Sequence, residues 1–115
     1  MIEPDNQIWD RDGFMNRIMN SATIAQKLFE LFKTHTPKTI EQLGSAVEAG
    51  QTQEAGLLAH KLKGSVSNLG GIELASLAQK IEQAGKCDDM SEVEVLWPAV
   101  LPQYEKLLKQ IQVGL

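Results

Sequence analysis

Between Val93 and Ile111 the residues Val93, Trp97, Val100, Tyr104, Leu107 and Ile111 recur at intervals of four, three, four, three and four. Alternating threes and fours keep one side of a 3.6-residue helix continuously apolar, whereas a strand, with a period of two, would scatter the same residues over both faces. Such a stripe must be buried against other elements. The rest of the chain repeats the pattern. Ala25, Leu28, Phe29, Phe32, Ile40, Leu43 and Val47 fall within roughly 120° of arc at about 100° per residue. One long helix is therefore predicted from Ala22 to Glu48, with a kink or break at Thr36-Pro37 left open because the stripe survives across Pro37, and ended by Gly50. A second is predicted from Gln51 or Thr52 to Leu69, stopping at Gly70-Gly71. A third carries Leu74, Leu77, Ala78 and Ile81 on one side and ends near Gly85, with Cys87 and Asp88-Asp89 in the loop beyond it. Ser91-Glu92-Val93-Glu94 has the form of a capping box and marks the start of the fourth. Pro98 and Pro102 lie off its seam, so the helix is expected to bend or restart at Pro98 while the stripe continues.

Four amphipathic helices joined by short links, without repeats or strand signals, predict an all-α fold, an antiparallel four-helix bundle. A short additional N-terminal helix is expected at about Asp12 to Met19, preceded by Ile8 and Trp9 and carrying Phe14 and Ile18 to cap one end. The first seven residues and the last few are expected to fray. At 115 residues the chain is long enough for one hydrophobic core and too short for two, so residues 1–115 read as a single domain.

Composition narrows the function. A net charge of −4 and an isoelectric point near 5.1 disfavour nucleic acid as a partner, because phosphate backbones are gripped by dense basic patches. No apolar run is long enough to span a bilayer, and the acidic start does not resemble a signal peptide. The single cysteine, Cys87, fits a reducing compartment. A cytoplasmic location and no membrane contact by this chain are expected.

One of the two histidines, His60, lies in the stretch AHKLKGSVSNLGG, from Ala59 to Gly71. On a helical wheel Gln53, Gly56, Gly64 and Ser67 fall within roughly 40° of His60, while Leu58, Leu62 and Leu69 lie opposite. The imidazole is thus expected on the face away from the core. Two glycines inside one helix each cost about 1 kcal/mol relative to alanine. The gain expected is access, because no neighbouring side chain would shield the ring from another protein. Lys63, one turn on, places a cation beside it.

An exposed imidazole at neutral pH often has one nitrogen with a free lone pair, which can serve as base, metal ligand or nucleophile. A bundle-type metal site would need Glu-x-x-His, but Leu57 precedes His60 and Phe32 precedes His35 at that spacing, so no metal site is predicted. A hydrolytic triad lacks a suitably placed Asp, since Ser65 and Ser67 share the histidine's own helix. Nucleophilic attack on phosphorus, with Lys63 balancing phosphoryl charge, stands beside the plain alternative of a solvated histidine without a role. His35 has no supporting residues around it in the sequence.

The same stretch closely resembles the signature of histidine-containing phosphotransfer (HPt) domains, in which a histidine is followed by a hydrophobic residue, Lys-Gly, small residues and Leu-Gly. LASLAQKIEQAG, Leu74 to Gly85, resembles the next helix of that family, and the similarity extends over about residues 9–112. The resemblance implies a four-helix bundle in which His60 carries the phosphoryl group on Nε2, Lys63 lies beside that group, and Gly64 leaves room for it and for the partner. It also implies that Glu82 holds the other imidazole nitrogen, with Gln79 flanking, and that Ser67 completes a small-residue platform with the docking surface of Gln53 and Gly56. Val66, in the Ser-Val-Ser departure from the usual small residues, is expected to point to the core.

In function, the resemblance implies a phosphorelay intermediate. It accepts a phosphoryl group from the phospho-aspartate of a receiver domain and returns it to the aspartate of the same or another response regulator. The partners implied are receiver domains of a hybrid sensor kinase or response regulator, and the chain is expected to be monomeric. It would bind no cofactor itself, Mg²⁺ coming with the receiver, and no nucleotide-binding motif such as GxxxxGK[ST] is present, so a phosphocarrier rather than an enzyme is expected. Ile8-Trp9-Asp10-Arg11 resembles the entry to HPt modules at the C-terminus of hybrid sensor kinases, which favours a module of such a kinase, membrane-anchored or not, over a free-standing protein, both readings staying open. The rival reading is an HPt-like adaptor that docks receivers without phosphotransfer. A kinase's own phosphoacceptor domain fits less well, because it builds its four helices from two chains.

Overall fold

A computed structural model describes residues 8–115; the predicted fraying of the first seven residues lies outside them. Every regular element among the described residues is helical: α1 (Arg11–Arg17), α2 (Ala22–Glu48), α3 (Thr52–Asn68), α4 (Ile72–Lys86), α5 (Met90–Leu96), a 3₁₀ turn (Trp97–Ala99) and α6 (Val100–Gly114). Helices α5 and α6 with the turn between them form the fourth member of an antiparallel bundle. Packing closes a ring, α2 on α3, α3 on α4, α4 on α5 and α6, and these back on α2. The 27 residues of α2 make a rod about 40 Å long, which matches the longest dimension of the molecule, 41 Å.

The glycine stop signals operate as expected, and a cap that the sequence reading did not name starts α2. Ser21 Oγ accepts from Ile24 N–H at the start of α2, and Gly50 and Gly70 adopt the left-handed conformation that ends α2 and α3. The single long helix holds without the optional break, and one start signal is corrected. Helix α2 runs unbroken through Pro37, whose ring lies on the exposed face while Phe32, Thr36, Thr39 and Ile40 on either side of it remain buried; burial of that stripe outweighs the hydrogen bond that proline removes. The capping box at Ser91 is not used. Asp89 is the N-cap of α5, its Oδ1 accepting from Glu92 N–H at 3.2 Å, and Ser91 is already helical. The left-handed backbone of Asp88 turns the chain sharply enough for the helix to begin two residues early. At Pro98 the fourth member does restart, through the 3₁₀ turn, and its stripe continues with Val93, Val100, Tyr104, Leu107 and Ile111 buried and Trp97 half-buried.

One core joins all four members. Leu43 of α2, Leu62 and Val66 of α3, Leu74 and Ile81 of α4, and Val93, Leu107 and Ile111 of the fourth are fully buried, and Phe32 packs on Tyr104 with ring centroids 5.5 Å apart. The short helix α1 brings Phe14 and Met15 onto one end. Its approach is fixed by polar bonds to the ends of α3 and α6. Trp9 Nε1–H donates to Leu69 O at 2.7 Å, Arg17 donates to the carbonyls of Ser67 and Asn68, and Arg11 donates to Gly114 O at 2.9 Å. The C-terminus is therefore helical to Gly114 rather than frayed, because Arg11 and the Trp9 ring pack on it.

Candidate functional site

His60 sits mid-way along α3, between Ala59 and Leu62, which are wholly buried. Helical geometry then turns its ring outward, and the side chain is 65% exposed. Across the groove, Glu82 of α4 is only 7% exposed. Its Oε2 lies 3.0 Å from His60 Nδ1 and 3.3 Å from Lys86 Nζ, while its Oε1 lies 2.7 Å from Lys63 Nζ. One buried carboxylate thus holds the imidazole and two ammonium groups.

Electrostatics keep Glu82 ionised. The Lys63 ammonium, assisted by His60 and Lys86, brings the Glu82 carboxyl down to about 2 against the opposing effect of burial. An ionised carboxylate can only accept, so the Nδ1 facing it carries the proton. Nε2 points away from Glu82 and has no hydrogen-bond partner among the described residues. The Glu82 contact thereby fixes the orientation of the His60 ring on the helix.

The other residues singled out from the sequence divide. Gly64 is exposed, and a Cβ there would meet nothing within 4 Å. Ser67 and Gln53 are also exposed, one on each side of His60 along α3. Gln79 makes no hydrogen bond to the imidazole and lines a hollow beside Lys63, Ser67 and Arg17. Gly56 is a correction. It is buried rather than part of an accessible face, and it is small because α4 crosses there: a Cβ on Gly56 would stand 3.1 Å from Gly85 Cα, and one on Gly85 only 2.6 Å from Gly56 Cα. Close approach of α3 and α4 is what brings Glu82 within reach of His60. Val66 does point into the core.

Lys86, Gly85 and Arg17 were not singled out by sequence reasoning. The i,i+4 spacing of Glu82 and Lys86 was a usable signal for the first, but such pairs are ordinary on helix surfaces. His35 is exposed and stands apart, in a hollow with Leu28, Phe32 and Ser65. No group of three His, Cys, Asp or Glu side chains that could hold a metal ion occurs among the described residues.

A family model described as the Hpt domain matches residues 27–114, from early α2 to the end of α6. The chain belongs to the Hpt domain family. Hpt domains are histidine phosphotransfer modules of phosphorelays; they are phosphocarriers rather than kinases, and they act with the receiver domains of response regulators. Among solved structures, this Hpt domain is similar to histidine-containing phosphotransfer protein B (HptB) from Pseudomonas aeruginosa PAO1, with a TM-score of 0.83 over 92% of each chain at 19% identity, a likeness of fold. No curated protein matches the chain. Among the described residues of the domain no helix is long and apolar enough to cross a membrane.

Proposed function

We propose that His60 is the phosphoacceptor of this Hpt domain, taking a phosphoryl group from the phospho-aspartate of a receiver domain and giving it to the aspartate of the same or another response regulator. The observation that carries the reading is the Nδ1 bond to Glu82, which leaves Nε2 as the one nucleophilic ring nitrogen. The Nε2 lone pair forms the N–P bond as the P–O bond to the receiver's aspartate breaks, and the bonding pair leaves with that carboxylate. The Nδ1 proton stays in place, so positive charge develops on the ring, where the Glu82 carboxylate stabilises it. Transfer back to an aspartate reverses each change. Such transfer depends mainly on positioning and charge stabilisation.

Lys63 is the group that neutralises the phosphoryl oxygens, exchanging its contact with Glu82 for one with the arriving anion. Gly64 and Ser67 keep the approach clear, Gln53 lies at the margin of the docked partner, and Gln79 meets it beside Lys63. Mg²⁺ and its ligands belong to the receiver in this reading. The domain works as a single monomeric unit within the cytoplasm. The experiment is to mix the protein with several phosphorylated receiver domains and follow label in both directions. Label should pass to this protein and on to an unphosphorylated receiver. A receiver that binds in the micromolar range yet exchanges no label would favour a docking adaptor instead.

A further inference from the structure

Two lysines contact one carboxylate, yet they reach it from different sides. Lys63, 28% exposed, stands over Oε1 from the hollow it shares with Arg17, Ser67 and Gln79. Lys86, 66% exposed, meets Oε2 from the groove lined by Gln53, Gly56, Leu57 and Gly85. The His60 ring shares Oε2 with Lys86 and not with Lys63.

Phosphorylation changes this balance of charge. At rest one carboxylate faces two ammonium groups; a phosphoryl dianion on Nε2 then competes with Glu82 for cations. Once Lys63 turns to the phosphoryl oxygens, as in the function proposed above, Oε1 loses its partner while still largely buried. A carboxylate so placed would tend to take up a proton, and a protonated carboxyl no longer favours positive charge on the ring. Lys86 is tethered one helical turn from Glu82 on the same helix and contacts the oxygen that holds the ring.

We propose that Lys86 is a positioning residue for phosphotransfer: it is the stationary counter-ion that keeps Glu82 anionic and on Nδ1 while Lys63 is released to the phosphoryl group. The two lysines therefore have separate roles. This rests on His60 being the acceptor. The charged groups facing Glu82 are Lys63 and His60 from α3 and Lys86 from its own helix α4.

The test is single-turnover transfer from a phosphorylated receiver to the parent, Lys86→Met, Lys86→Arg, Glu82→Gln and the double variant Lys86→Met/Glu82→Gln, with receiver affinity measured alongside. Lys86→Met should slow transfer about fivefold, near the upper end for a partly exposed charge pair. It should leave receiver binding unchanged, and Lys86→Arg should restore the rate. In the Glu82→Gln background the same change should have little effect, because an amide has no charge to hold. Equal slowing in both backgrounds, or a loss confined to binding, would overturn the proposal in favour of a docking role for Lys86. No slowing in either background would overturn it as well. Failure of the parent protein to take label would instead remove the phosphoacceptor reading. Lys86 would then be judged by ¹³C NMR titration of the Glu82 carboxyl in Lys63→Met, where adding Lys86→Met must raise the midpoint, and an unmoved midpoint would refute the counter-ion role.

Discussion

Glu82 combines burial with a carboxyl held well below its ordinary range, first by Lys63 and then by His60 and Lys86. Its stabilising contribution has a definite pH signature. With a folded value of about 2 against 4.5 for the free group, the contribution is fully present above pH 4.5 and is lost as pH falls through that window towards 2. Solvent screening at exposed His60 and Lys86 limits it to about 1–2 kcal/mol. Urea unfolding of the parent and Glu82→Gln should therefore differ at pH 7 and converge as pH drops from 4.5 towards 2; parallel curves would show that the carboxylate is not stabilised as described. His60 and Lys63 were legible in helical spacing and motif together, and Glu82 only through the family resemblance. Lys86 was not, since one helix shows the Glu82–Lys86 pair but not the ring that shares its oxygen.

At the level of elements, two glycines that look equivalent on a helical wheel have different reasons to exist. A wheel shows which side of a helix a residue occupies but not which neighbour crosses there. Gly56 and Gly85 let α3 and α4 meet backbone to backbone, whereas the space around Gly64 is open. Gly85→Ala would press a methyl on the backbone of Gly56 and Thr52, and should destabilise the bundle by about 1–3 kcal/mol. Gly64→Ala should stabilise it by about 0.5–1 kcal/mol, the helix-propensity gain, while slowing transfer from a receiver that must approach this face. Thermal unfolding of the two variants checks the opposite signs, and a destabilised Gly64→Ala would contradict the open face. The α5 cap shows a similar limit. Asp89 and Glu92 have the same spacing as Ser91 and Glu94, so local pattern alone gives two starts, and the left-handed turn at Asp88 selects the earlier.

For the whole molecule, the four apolar stripes made the bundle legible, because each helix had only one face to bury and short links left few ways to bring them together. What pattern could not supply were contacts between distant segments. Trp9 bonding Leu69, Arg17 closing the end of α3 and Arg11 closing the end of α6 each join an N-terminal residue to a helix end 50 or more positions away. These bonds fix the end of the helix that carries His60, and the α3–α4 crossing fixes Glu82 against it, so the imidazole is held in place by the domain's own fold. The measurement that tests this most directly is the chemical stability of the label after incubation with a phosphorylated receiver, for the parent and for His60→Gln. Acid-labile, alkali-stable label on the parent and none on His60→Gln is the predicted result. Label that survives acid, or that persists undiminished in His60→Gln, would contradict phosphotransfer through this histidine.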